Sequence, residues 1–283
     1  MKLASKTYGK GRVRVLRLNR GDGVGGRHEV RELAVQAMVE GDFGRAFTDA
    51  DNSTSLCTDT VKNVVNIVAR ENLAAGNEAF CAAVADRLLE KYASVEATAV
   101  TAFETKWTRL AFNGEPHPHG FVLDPNGKPT AKVLAHRGGA RSTESGISGF
   151  TVMKTTESGW ADYIKDPYTT LAETDDRIAA TAVEARWLWR AAPADYAAAN
   201  KAVLDTMVEV FATTYSRSVQ DSLWRMAAAA LEKVPEVERV SLAAPNKHYI
   251  PIDLSRFGMD NGNRLFLPTD EPHGQIECSV ARE

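Results

Sequence analysis

Cysteine is scarce in this 283-residue chain, and the three present (Cys57, Cys81 and Cys278) are far apart and odd in number. Such usage argues against a disulfide framework and implies reduced thiols, with the cytoplasm as the expected compartment. No run approaches the roughly 20 apolar residues of a membrane span, so no membrane partner is expected. The segment Met1-Lys2-Leu3-Ala4-Ser5 lacks the apolar stretch of a signal peptide, and Ser279-Val280-Ala281-Arg282-Glu283 is no peroxisomal address. Neither sign of charge dominates: a net charge of −3 leaves no excess of Lys and Arg to hold nucleic-acid phosphates. Metal-ligand spacings are missing too, with no C-x-x-C and no H-E-x-x-H. His117 and His119 in Pro116-His117-Pro118-His119, and the single His28, His136 and His273, therefore read as neutral loop or strand histidines, and no metal is expected.

What remains is the composition of a folded soluble protein, 44% apolar and 25% charged, with length for two core-forming units. Arg12 to Leu18 alternates as a half-buried strand does. Val30 to Val39 fits two periods: Leu33, Val35, Ala37 and Val39 suit a strand, whereas Val30, Leu33, Ala34, Ala37 and Met38 suit a helix. Val61, Val64, Val65 and Val68 recur at helical spacing, with Thr58 and Thr60 as candidate N-caps. Gly76-Asn77 restarts the chain into a second helix bearing Phe80, Val84 and Leu88, and period two returns from Val95 to Trp107. Pro125-Asn126-Gly127 makes a turn, and the polar, Gly-rich Arg137 to Ser148 is the best domain joint, placing domains at 1–140 and 141–283.

The second half has a similar outline. Phe150 to Met153 is extended, and Thr181 to Arg190 sets Val183, Ala185, Trp187 and Trp189 on one face. One helix carries Val203, Met207, Val210 and Phe211. Another carries Leu223, Met226, Ala227, Ala230 and Leu231 and stops at Pro235. Val237 to Leu254 and His273 to Val280 are extended. Two copies of an antiparallel sheet carrying a helix pair, an α+β class, are expected.

Gly21-Asp22-Gly23-Val24-Gly25-Gly26 matches the dinucleotide pattern G-x-G-x-x-G. The buried parallel strand and acidic residue that should follow are replaced by the polar stretch Thr48 to Thr60, so a hairpin loop is the better reading. The segment Ala244 to Asp253 says more. In an extended strand Asn246, His248, Ile250 and Ile252 share one face, two polar groups followed by two apolar ones. Polar groups at the buried end of a strand need partners that a ligand can provide. Strand-end residues facing water are an equal alternative for this segment alone.

Six pieces appear in order. They are Tyr8-Gly9-Lys10; Thr58-Asp59-Thr60-Val61-Lys62-Asn63; the run Ser148 to Ser158; Tyr168-Thr169-Thr170-Leu171 with Thr174-Asp175-Asp176-Arg177; Ser218-Val219-Gln220; and Pro245-Asn246-Lys247-His248-Tyr249. Together, from residue 8 to about residue 277, they resemble the urate oxidase (uricase) family. The resemblance implies tandem tunnelling-fold (T-fold) domains, each an antiparallel sheet with a helix pair in the order ββααββ, assembling into a β-barrel homotetramer. It favours a strand at Val30 to Val39.

It also implies that urate, oxygen and water give 5-hydroxyisourate and hydrogen peroxide, with no bound cofactor because urate supplies the electrons. Lys10, Thr58 and His248 match the family's proton relay. A free lysine, with a pKa of about 10.4, is protonated and cannot act as a base unless burial or a nearby cation lowers that value. A threonine hydroxyl both donates and accepts, so it can pass a proton. Arg177 and Gln220 match the pair that grips the planar anion, where a rigid guanidinium fork suits two coplanar acceptors. Val219 and Asp59 match residues at helix starts, where backbone amides favour anions. Asn246 matches the residue that holds oxygen and then water above the ring. Trp160 stands at the purine-stacking position, where the family usually has phenylalanine, and its larger π-face alters the pocket. The family's sites lie between neighbouring subunits. Two other readings are a zinc-dependent pterin enzyme on the same fold, against which the lack of a compact His/Cys set argues, and a purine binder without chemistry.

Overall fold

A computed structural model describes residues 1–23 and 25–283, which divide into two compact units. Val24, inside the glycine-rich G-x-G-x-x-G stretch, lies outside the described residues. The first unit is Met1–Gly146 with Leu188–Arg190; the second is Ile147–Trp187 with Ala191–Glu283.

The first unit begins with strands β1 (Tyr8–Asn19) and β2 (Glu29–Gly41), followed by a short helix α1 (Gly44–Thr48) and two long ones, α2 (Thr58–Glu71) and α3 (Asn77–Lys91). Strands β3 (Val95–Phe112), β4 (Glu115–Asp124) and β5 (Lys128–His136) complete it. β1 pairs antiparallel with β2, β2 with β3, and β3 with both β4 and β5. β1 pairs directly and antiparallel with β2, the next strand in the chain, and not as the parallel βαβ unit that a dinucleotide site requires.

The ambiguous segment from Val30 to Val39 is strand. Flanked on both sides by partner strands, β2 buries Leu33, Val35, Ala37 and Val39, the period-two set. Helices α2 and α3 turn Val61, Val64, Val65 and Val68, and Phe80, Val84 and Leu88, into the same apolar core. The expected N-caps of α2 need correction. Cys57 occupies the cap position in extended backbone with no side-chain cap bond, and Thr58 is the first helical residue. Its hydroxyl is therefore not committed to capping.

Strands β6 (Arg141–Lys154) and β7 (Ala179–Trp189), which lie mostly in the second unit, and β8 (Val237–Pro251) and β9 (Phe266–Ala281), wholly in it, are neighbours in that order, with helices α4 (Tyr196–Thr213) and α5 (Val219–Lys233) between β7 and β8 in sequence. The boundary between units falls inside β6, after Gly146, so only residues 137–140 of the Gly-rich stretch form a turn. β7 buries Val183, Ala185, Trp187 and Trp189, as their alternation predicts. Asp195 caps α4 by accepting from the Ala197 and Ala198 amides at 2.8 and 3.2 Å; Ser218 caps α5 by accepting from the Asp221 amide at 3.0 Å. Among the described residues no helix is long and apolar enough to cross a membrane.

The β8 face differs from its predicted form. Ile252 lies beyond the strand end and Ile250 is exposed, so the apolar part of the face is on the other side of Asn246: Val240, Leu242 and Ala244 are buried. The core thus approaches Asn246 from the N-terminal side of the strand.

Candidate active site

Three of the nine expected site residues belong to the first unit. Lys10 is half-buried on β1, next to a register break: Lys10 lies opposite Ala37 and Val13 opposite Val35, leaving Gly11 and Arg12 facing Gln36 alone. Arg12 takes a positive φ of 54° in this bulge. Bulges of this type re-aim a side chain relative to regular alternation. Just before it, β1 presses against β2: a Cβ on Gly9 would stand 2.0 Å from the Ala37 carbonyl oxygen. Gly9→Ala is therefore expected to lower stability by about 1–3 kcal/mol through forced separation of these strands. Thermal unfolding measures it, and an unchanged Tm would contradict the close approach.

Tyr8 ties the same strand to α2. Its hydroxyl oxygen accepts from the Leu56 amide at 2.6 Å, and its ring meets Phe43 edge-on at 5.0 Å. This brings Lys10 toward the start of α2, where Thr58 is half-buried and Asp59 exposed. Lys62 donates a hydrogen bond to the Asp59 carboxylate and holds it below its usual range, with the charges of Lys62 and Lys10 adding to the effect. Asn63 donates to the other oxygen at 3.2 Å. Lys10 itself makes no ion pair among the described residues.

The other six residues belong to the second unit, and backbone bonds knit several of them together. The Arg177 amide donates to the Ser158 carbonyl at 2.8 Å, the Gly159 amide to the Ser216 carbonyl at 2.8 Å, and the Trp160 amide to the Thr174 carbonyl at 2.7 Å. The Ser216 hydroxyl donates to the Ser218 carbonyl at 3.1 Å, and Ser218 caps the helix that begins with Val219 and Gln220. Trp160, Arg177 and the start of α5 thus share one scaffold. Val219 and Asn246 both line a small cavity with Thr181 and Ser216, whose free volume of about 20 Å³ suits a single water. The Thr181 hydroxyl is buried there without a partner among the described residues.

His248 is half-buried two residues beyond Asn246, across a second bulge. Asn246 pairs with Gly274 but His248 with Thr269, so four residues of β9, 270–273, stand opposite Lys247 alone. Lys247, between them, pairs with Asp270 at 2.6 Å. His248 makes no ion pair among the described residues.

Arg177 has unusual surroundings. The ordinary role for an arginine after two aspartates is to pair with them, yet no ion pair forms among the described residues, and the Asp176 carboxylate instead accepts from Thr156 at 2.8 Å. The guanidinium is half-buried, its Nε is buried without an acceptor among the described residues, and burial lowers its pKa. A cation taken partly out of water with no counter-ion is costly unless something supplies the missing charge. Trp160 is half-buried, and Gln220 is exposed on the first turn of α5.

Sequence reasoning missed Ser158, Ser216 and Tyr215, which make this scaffold through backbone carbonyls and a hydroxyl. Tyr215 donates to the Asp175 carbonyl at 2.8 Å, and a Cβ on Gly159 would meet that hydroxyl at 2.3 Å. No local pattern marks such residues. Histidines 117 and 119 contact one another, with ring centroids 4.6 Å apart, and His28 lies 5.9 Å from His119. No group of three or more His, Cys, Asp or Glu arranged to hold a metal ion occurs among the described residues.

The sequence profile of the uricase family matches residues 6–134 and 143–277, which is most of the chain. This chain belongs to the uricase family. The uricase of Cyberlindnera jadinii is 37% identical over 99% of this chain and 97% of its own length. That of Arthrobacter globiformis is 35% identical over 99% of this chain and 90% of its own. The crystal structure of the Arthrobacter globiformis uricase superposes with a TM-score of 0.93, covering 100% of this chain and 96% of that one. The uricase fold is thus a mixed α/β one built on antiparallel sheet, as expected from the sequence. The family profile covers all nine expected site residues.

Proposed function

We propose that this chain is a urate oxidase that converts urate, molecular oxygen and water into 5-hydroxyisourate and hydrogen peroxide. Membership of the uricase family supports the enzyme class, an oxidoreductase acting on urate with oxygen as acceptor. The single observation that carries the chemistry is Arg177, a half-buried guanidinium without a carboxylate partner among the described residues, on the same hydrogen-bonded scaffold as Trp160 and the start of α5. Those are the needs of a planar anion: charge-matched donors at its edge and a π-face beneath it.

In this reading Arg177 and Gln220 hold the edge of the urate anion, Trp160 stacks on its ring, and the Val219 and Asp59 positions contact it at two helix starts. Lys10 draws a proton away through the Thr58 hydroxyl, and His248 closes the relay on the opposite side. Urate then gives two electrons to oxygen, which leaves as hydrogen peroxide after taking two protons. Asn246 and Thr58 hold first oxygen and then the water whose oxygen bonds to the oxidised ring. Urate is the reductant, so the reading requires no bound cofactor. Tandem T-fold domains, a homotetramer with each site completed by a neighbouring subunit, and a cytoplasmic location belong to the same proposal.

The test follows urate absorbance in air-saturated buffer while hydrogen peroxide is assayed. One peroxide per urate consumed is expected. Folded protein that leaves urate unchanged would end the proposal.

A further inference from the structure

We propose that Tyr163 is a positioning residue that fixes the plane of Trp160 and leaves one indole face for the purine; this rests on the urate reading above. The two rings stack with centroids 5.4 Å apart and planes 13° from parallel. One face of the indole is therefore partly covered in an offset stack, and a planar ligand can overlap the ring more fully on the opposite face.

The loop that carries Tyr163 is tied across several times. At its neck Trp160 and Thr174 exchange two backbone hydrogen bonds, at 2.7 and 3.0 Å. Further out, Glu173 accepts from the Asp162 amide at 3.0 Å and pairs with Lys165 at 2.7 Å. The Tyr163 hydroxyl donates to the Leu171 carbonyl, and the Lys165 ammonium lies 5.7 Å from the Tyr163 ring centroid. Tyr163 is thus held at its ring and at its hydroxyl.

Core packing does not account for this order. The loop's other large side chains, Ile164, Tyr168 and Leu171, are exposed, with Ile164 and Tyr168 at 93% and 91%. Tyr163 is half-buried, and its aromatic partner is Trp160. A loop that exposes its apolar residues and turns one ring onto the stacking residue is built around that ring. The cost of ordering a free indole is removed before the ligand arrives, which is how pre-organisation strengthens binding.

The experiment compares Tyr163→Leu and Tyr163→Phe with the parent enzyme, measuring urate kinetics and competitive inhibition by xanthine, a planar purine. Tyr163→Leu is expected to raise KM and weaken xanthine inhibition about 3- to 10-fold, with kcat changed less than about twofold. Tyr163→Phe, which keeps the ring, recovers most of that loss. In a Trp160→Leu background, Tyr163→Leu should have no further effect on either constant, because its action runs through the indole. An equal rise in KM in that background would overturn the proposal, as would unchanged or tighter xanthine binding in Tyr163→Leu. A parent enzyme that does not consume urate sinks the reading beneath it instead. In that case xanthine binding still tests the stack, through quenching of Trp160 fluorescence that Trp160→Phe abolishes.

Discussion

Replacing Arg177 by methionine is expected to lower kcat/KM for urate by about 10²–10³-fold while leaving the protein at least as stable as the parent. Two independent parts of its environment produce this pairing of effects. Toward a bound anion, the guanidinium would form charge-assisted hydrogen bonds, and losing them costs about 3–4 kcal/mol, at about 1.4 kcal/mol per factor of ten. Toward the protein, it offers little: its Nε has no acceptor, it makes no ion pair among the described residues, and burial disfavours its charge. Methionine fills a similar path without the charge, and replacing poorly matched buried ions by apolar side chains is often neutral or stabilising. Lysine should rescue little, because a point charge cannot match two coplanar acceptors. Steady-state kinetics and thermal melts on the same preparations check both halves. A Tm drop of several degrees would show that Arg177 is structural. Xanthine should raise the parent's Tm and not the variant's, since only a ligand that binds the folded state shifts the melt.

That arginine also shows where reading the sequence stops. Asp175 and Asp176 precede it and look like its partners, but Asp176 is engaged by Thr156, twenty residues earlier. Side-chain direction after a backbone turn is decided by distant chain, which spacing does not carry. The same holds at Val30 to Val39. Its residues satisfy both periods, and only partner strands on both sides select the one that buries Leu33, Val35, Ala37 and Val39. By contrast, the stripes of α2 and α5 are local facts, and Val61, Val65, Val68, Leu223, Met226 and Ala230 are buried as their spacing says. The apolar part of the β8 face lies on the other side of Asn246 because Ile250 and Ile252 stand near and beyond the strand end, while Val240, Leu242 and Ala244 are the residues that the core covers. Alternation alone does not say which end the core covers. Of the relay, spacing singled out His248 and Thr58 but said nothing of Lys10. A lysine at the start of an alternating strand looks like any solvated charge, and only the ordered family motifs distinguish it.

Lys10→Met is accordingly the sharpest test of the relay. It is expected to lower kcat about 10²–10⁴-fold, the usual range for a general base, while xanthine inhibition stays within a few-fold of the parent. The geometry favours a chemical role over a structural one. Asp59, the carboxylate whose titration responds to Lys10, is already engaged by Lys62 and Asn63, so Lys10 is not locked into an ion pair. Thr58 opens α2 without capping it, and its hydroxyl is available for a proton. Methionine preserves the length of the lysine stem beside the bulge, so strand pairing should persist and circular dichroism should match the parent. Thr58→Ala should lose turnover to a similar degree. If the two residues pass one proton in series, the double variant should be scarcely worse than either single one, because members of one catalytic unit are not additive. Independent losses that multiply would mean that Lys10 and Thr58 act separately. Unchanged turnover in Lys10→Met would remove lysine from the mechanism altogether.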